Sequence, residues 1–230
     1  CLGAISTRGK VGALTAPIRG GLLEGNIAMV MQSGGLLQGL AFPFFQRGVG
    51  LSYAVSSGNN RSLDLADFID FFLDDPHTGV VVAYVEGFRQ PQKFRRVARR
   101  ALSLGKPIVI LKVGRSEKSA QATLAHTGSL AGSDAVIDAV FEDAGIVRVE
   151  DFDDLVETAS VLCRSKLGNV RPGSGIGVIS GSGGSALASA AAGVSLAASP
   201  GPSVCASAGA TSMMSWTTSR TRFSCPSVAS

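Results

Sequence analysis

The sequence is poor in the residues that most often advertise chemistry. Of its 230 residues only two are histidine, four cysteine, two tyrosine and one tryptophan. Cys1, Cys163, Cys205 and Cys225 lie far apart and form no C-x-x-C pair, so neither a disulfide framework nor a zinc site is expected. Long hydrophobic runs are missing too. The longest, such as residues 80–84 and 108–111, fall far short of the ~20 residues that cross a bilayer. No membrane segment is expected, and the N-terminal residues lack the order of a signal peptide, so the expectation is a cytoplasmic protein. There is no G-x-x-x-x-G-K-[ST] loop for a nucleotide and no G-x-S-x-G elbow for a hydrolase serine. Residues 181–186 do match G-x-G-x-x-A after a strand-like run, but no carboxylate follows to hold a ribose, which argues against NAD binding.

Acidic residues are absent from the end of the chain. All 17 lie between Glu24 and Glu157, whereas the last 73 residues hold five cations and no acid. The formal net charge of +4 belongs to that end alone, because residues 1–157 carry 16 basic against 17 acidic side chains. A basic surface for nucleic acid is therefore not indicated. From 198 to 230 the chain has nine Ser, five Ala and four Thr in 33 residues, with neither Leu nor Ile. That composition buries too little apolar surface to fold, and 194–230 is expected to be a disordered, low-complexity tail. It also holds the sole tryptophan, Trp216, and the pair Met213 and Met214. Such a change of vocabulary suggests translation from a shifted reading frame.

What is present is an alternation of short apolar runs with longer amphipathic segments, the pattern of βαβ units on a parallel sheet. Strands are predicted at 27–31, 51–55, 80–84, 108–113 and 146–149, and helices at 35–46, 63–73, 91–104, 133–143 and 152–164. Pro91 suits a first helical turn, and Ser133 with Asp134 suits a helix start. Five strands in about 140 residues predict an α/β, flavodoxin-like, doubly wound five-stranded parallel sheet over 25–166, with ligands at the C-terminal ends of the strands. A Gly, Pro and Arg-rich linker follows at 167–174. Residues 176–184 then repeat the pattern of 27–35 at an offset of 149, so 175–193 reads as the truncated start of a second, similar unit.

Candidate chemistry falls at the predicted strand ends. Ser33, Gly34 and Gly35 follow the first strand and open the first helix, where backbone N–H groups and the helix dipole favour an anion. Gly58 and Asn59 stand after the second strand and Glu86 after the third. His126 sits in the Gly-bearing segment after the fourth strand, whereas His77 reads as solvated surface in a polar turn. An imidazole at that edge serves as general base, metal ligand or nucleophile toward phosphorus, and a carboxylate reaching it would fix its tautomer. For Glu86 the alternative is a surface acid beside Arg89. The cluster Arg89, Lys93, Arg95, Arg96, Arg99 and Arg100 interleaves with Phe94, Val97 and Ala98 at helical spacing, so it reads as a solvated helix face.

Taken together, Gly25-Asn-Ile-Ala-Met-Val-Met-Gln-Ser-Gly-Gly35, Ser57-Gly-Asn-Asn60, Tyr84-Val-Glu-Gly87, residues 105–115 and Ala125-His-Thr-Gly-Ser-Leu-Ala-Gly132 resemble the NDP-forming acyl-CoA synthetases of acetate-CoA ligase type, relatives of the succinyl-CoA ligase α subunit. The resemblance covers about residues 1–193. It implies that acid, CoA and nucleoside triphosphate interconvert with acyl-CoA, diphosphate and phosphate, a histidine carrying the phosphoryl group. It casts His126 as that phosphohistidine, Glu86 as the carboxylate that orients it, and Ser33, Gly34 and Gly35 as the phosphate holders, with Gly58 and Asn59 near the acyl and CoA end. CoA and ATP with Mg²⁺ would serve the complete enzyme, and the acid would be a small carboxylic acid. Residues 1–24 resemble the remnant of a preceding CoA-binding domain and a linker. That domain and the ATP-grasp domain or subunit are the implied missing partners, so this fragment is expected to be inactive alone. Two rival readings remain: a non-catalytic flavodoxin-like binding module, and a serine hydrolase built on Ser33 and His126.

Overall fold

The computed structural model describes residues 3–15, 22–115 and 134–164. The chain divides into two units, Cys1–Val170 and Arg171–Ser230, and every described residue belongs to the first. The elements run β1 Gly3–Ser6, β2 Val11–Leu14, β3 Glu24–Met31, α1 Gly34–Gln46, β4 Leu51–Ser56, α2 Leu65–Asp74, β5 Val80–Val85, α3 Pro91–Ser103, β6 Ile108–Lys112, α4 Asp134–Asp143, β7 Val147–Val149 and α5 Phe152–Leu162.

The sheet has seven strands in the order β2-β1-β4-β3-β5-β6-β7. The five predicted strands are all there and mutually parallel, in the doubly wound order. The count of five is corrected to seven, because β1 pairs antiparallel with β4 through Ala4 opposite Val55, and β2 continues antiparallel from β1. Residues 3–14, read as the close of a preceding domain, are thus part of this sheet. Two four-residue strands, Gly-Ala-Ile-Ser and Val-Gly-Ala-Leu, with Ile5 the one buried hydrophobe of the pair, carry no periodic signal.

Both faces of the parallel strands are covered, so residues 27–31 are all fully buried and show no alternation. On one face Leu37, Leu40 and Phe44 of α1 and Leu155 and Val156 of α5 pack on Met29, Met31, Val82 and Leu111. On the other, Ile69 and Phe72 of α2, Phe94 and Val97 of α3 and Phe141 of α4 pack on Val30, Val81, Ala83 and Ile110. Helix starts follow capping chemistry. The Asp64 side chain accepts from the N–H of Ala66 while its own N–H donates to Asp67, a capping box that moves the start of α2 to Leu65 from the predicted 63. Asp151 caps α5 by accepting from Asp154 N–H at 2.8 Å, and Pro91 sits in the first turn of α3 as predicted. The sheet reverses its winding between β3 and β5. A crevice at their C-terminal ends is where this topology seats a ligand.

Candidate active site

Four strand ends converge on that edge. Ser33 is the N-cap of α1 with extended backbone, φ −108° and ψ 126°, and its hydroxyl makes no capping bond. No acidic residue occupies the first turn, so the leading N–H groups of α1 and the positive end of its dipole have no local anion to answer them. Gly35 is exposed, and a side chain built on it would meet nothing within 4 Å. The extended, unstrained conformation of Ser33 lacks the sharp turn that a nucleophile elbow requires, which removes the support for a serine hydrolase.

After β4 the chain turns through Gly58, with φ 56°, and Asn60, with φ 52°. Ser57 N–H donates to Met31 C=O at 2.9 Å, tying this turn to the end of β3. Arg89 donates from Nη1 to the carbonyls of Asn59 at 3.3 Å and Asn60 at 3.0 Å. Arg89 thereby links the turn carrying Gly58 and Asn59 to the segment after β5. Asn60 is 6% exposed, and its Oδ1 accepts no hydrogen bond among the described residues.

Glu86 is 7% exposed, which rules out the reading of a surface acid. Its negative charge is felt by Tyr84, whose hydroxyl is pushed above the ordinary tyrosine range first by burial and then by Glu86. Gln32, also buried, presents Oε1 to the N–H groups of both Glu86 and Gly87 and donates from Nε2 to Gly87 C=O at 2.8 Å. On the other flank Lys112 is 6% exposed and donates from Nζ to Glu86 C=O at 2.9 Å and to Val113 C=O. Burial pushes its ammonium below the ordinary lysine range and Arg148 adds to this, opposed by Asp134 and Glu86.

The structure therefore brings Ser33, Gly34, Gly35, Gly58, Asn59 and Glu86 to one sheet edge. His126 lies outside the described residues, as do 167–174, 175–193 and 194–230. Bordering the segment that holds His126, Arg115 donates to Asp134 at 2.9 Å and to Glu150, and Arg148 donates to Asp134 at 2.7 Å and to Asp138 at 2.5 Å. Burial opposes ionisation of Asp134, but Arg148 and Arg115 outweigh it and hold the carboxyl below the usual range. Gln32 and Lys112 were not among the candidate residues that the sequence pointed to. The available signal was a polar residue closing an otherwise wholly apolar strand, as Gln32 does after 27–31 and Lys112 after 108–111.

His77 is exposed, as expected. The basic cluster keeps Phe94, Val97 and Ala98 buried and Arg89, Arg96 and Arg99 exposed, as read, and four of its cations also pair with acids of neighbouring helices. Lys93 meets Asp67 at 2.5 Å, Arg99 meets Asp143 at 2.8 Å and Arg100 meets Asp70 at 2.6 Å. An apolar depression of about 370 Å³, lined by Ala98, Leu102, Lys106, Ala144 and Leu162 among others, lies at the N-terminal edge of the strands, away from this chemistry. Among the described residues no three His, Cys, Asp or Glu side chains gather as a metal cage, and no helix is long and apolar enough to cross a membrane.

Comparison with known proteins points the same way. The family model described as succinyl-CoA ligase like flavodoxin domain matches residues 24–162. The chain is 36% identical over 184 residues to the α subunit of an ADP-forming acetate–CoA ligase I of Pyrococcus furiosus, covering 77% of this chain and 39% of that one. It is 34% identical over 186 residues to an ADP-forming acetate–CoA ligase of Methanocaldococcus jannaschii, covering 78% and 26%. Among solved structures, an acetyl-coenzyme A synthetase 1 of Ca. Korarchaeum cryptofilum in complex with phosphate and ADP superposes with a TM-score of 0.75 at 33% identity, covering 85% of this chain and 42% of that one. The chain thus spans between about a quarter and two fifths of the length of these curated relatives.

Proposed function

The chain belongs to the succinyl-CoA ligase-like flavodoxin domain family, and on that premise we propose that it is the phosphoryl-carrying part of an NDP-forming acyl-CoA ligase. The whole reaction joins a small carboxylic acid to CoA at the expense of ATP or another nucleoside triphosphate, giving acyl-CoA, the nucleoside diphosphate and phosphate. His126 takes the phosphoryl group and passes it on. Glu86 orients the imidazole and stabilises the positive charge that the phosphorylated ring acquires. Ser33, Gly34 and Gly35 hold the phosphate at the N-terminus of α1, where fixed dipoles need no reorganisation as charge develops. Gly58 and Asn59 face the acyl and CoA end.

One observation carries this reading: a buried carboxylate, Glu86, held by its main chain at the sheet's switch point beside a helix N-terminus that has no anion of its own. Chemistry that moves phosphate needs both an anion seat and a group that steadies the carrier, and these stand on adjacent strands. We assign the Mg²⁺ that accompanies ATP, and the ATP itself, to an ATP-grasp domain or partner subunit, and CoA to a preceding CoA-binding domain. The chain by itself does not turn over, and the complete enzyme works in the cytoplasm.

The test is to supply the CoA-binding and ATP-grasp parts and follow acyl-CoA formation from acetate, CoA and ATP. Turnover is expected only when all parts are present. Gly35→Asp places a carboxylate where phosphate would sit, yet its Cβ meets no neighbour and its charge suits a helix N-terminus. We expect unchanged thermal stability with turnover lowered about 100-fold or more, on the scale of losing a fixed anion-stabilising group. Full activity in Gly35→Asp would show that phosphate does not bind at α1.

A further inference from the structure

The main chain of Glu86 and Gly87 lies just beyond the sheet's hydrogen-bond ladder. On one side β3 pairs with β5 as far as Met31 opposite Tyr84, and on the other β5 pairs with β6 as far as Val85 opposite Lys112. Beyond those residues the strands diverge to open the crevice, and the peptide groups of Glu86 and Gly87 lose their strand partners while remaining buried. Leaving a buried peptide group without a partner is costly, so something must replace the ladder.

Two side chains do so, one from each flanking strand. Gln32 Oε1 accepts from Glu86 N–H and, at 3.1 Å, from Gly87 N–H, and its Nε2 donates to Gly87 C=O at 2.8 Å. Lys112 Nζ donates to Glu86 C=O at 2.9 Å. All four main-chain polar groups of the dipeptide are therefore met by side chains. The three bonds of Gln32 also fix its amide orientation, since only oxygen accepts from two N–H groups and only nitrogen donates to a carbonyl.

We propose that Gln32 and Lys112 are a positioning pair for the site, two struts that extend the ladder by one dipeptide and so fix the point from which the Glu86 carboxylate projects. Neither touches the reacting atoms; both act through Glu86. The use of lysine supports this over simple strand-end closure. Burying an ammonium is costly, and an apolar residue would end β6 as well for packing alone, but an apolar residue cannot grip the carbonyl of Glu86. The inference rests on the role proposed for Glu86 above.

The test uses the full chain together with the ATP-grasp part that completes it, as wild type and as Gln32→Met and Lys112→Met, which keep volume and remove the polar grip. Two quantities are read: hydrogen exchange at the Glu86 and Gly87 amides, and the rate and KM for ATP of acid-labile phosphate incorporation. Gln32→Met is expected to speed exchange at both amides. Each variant should lower the labelling rate about 10- to 100-fold, the usual cost of losing the group that orients a reacting residue, with KM for ATP unchanged. The double variant should fall little further than either single one, because each strut serves the same carboxylate. Wild-type labelling rates in folded Gln32→Met and Lys112→Met would overturn the pair while leaving the role of His126 standing. If a variant unfolds, Gln32→Asn, which keeps an amide but is one carbon too short, takes its place under the same two criteria. No label on wild type would remove the role of His126, and the pair with it.

Discussion

Asp67 shows how one side chain serves two structures at once. It accepts from the N–H of Asp64 to complete the capping box of α2, and it receives Lys93 of α3 at 2.5 Å. The Lys93 hydrogen bond first, then that of Asp64, hold its carboxyl below the usual aspartate range. A carboxyl lowered in the folded state stabilises the fold above the ordinary aspartate range, and that stability is lost as pH falls through the lowered value. Asp67→Asn is expected to lower the unfolding free energy at neutral pH by about 1 kcal/mol, the scale of a cap plus a partly exposed ion pair. It should also weaken the acid dependence of stability; both are read from denaturant unfolding between neutral pH and pH 3. At this scale Ser33, Gly58, Asn59 and Glu86 were legible because a turn after a buried strand must place its residues at the sheet edge. Gln32 and Lys112 were legible only as polar residues closing apolar runs, because what they bond is main chain 54 and 26 residues away, and no local pattern records that partner.

Among the elements, the five parallel strands and their helices were legible because both faces are covered and the apolar runs are continuous. The β1–β2 hairpin was not, since its identity comes from pairing with β4 and not from its own composition. Helix α2 shifted by two residues because Asp64 caps where a propensity reading saw a continuous segment. One glycine pair also belongs here. Where the start of β3 runs beside the residue preceding β4, a Cβ on Gly25 would stand 2.3 Å from Gly50 carbonyl carbon, and one on Gly50 would stand 2.2 Å from the carbonyl oxygen of Glu24. Both contacts are with main chain, which cannot step aside as a side-chain end would. Gly50→Ala is therefore expected to cost about 1–3 kcal/mol, the range for forcing atoms into a packed site, whereas Gly39→Ala, with open space around its Cβ, should be neutral or stabilising. Thermal unfolding of the two variants side by side checks this, and equal midpoints would contradict it.

For the molecule as a whole, the net charge of +4 invited a search for an anionic macromolecule, but the excess lies in the last 73 residues. On α3, Lys93, Arg95, Arg99 and Arg100 meet Asp67, Asp70, Asp74 and Asp143 of neighbouring helices, and Arg96 is exposed. In the reading proposed above, the anion sits at the N-terminus of α1, which follows β3, the strand next to β5 and the Glu86 beyond it. The chain spans between about a quarter and two fifths of the length of its relatives, so the step to measure on it is phosphoryl transfer, not turnover. The most direct measurement is incubation of the chain with γ-labelled ATP and a competent ATP-grasp partner, followed by acid and base treatment of the labelled protein. Wild type is expected to carry acid-labile, base-stable label, His126→Ala none and Glu86→Gln less. Absence of acid-labile label on wild type, or equal label on His126→Ala, would contradict phosphoryl transfer through His126.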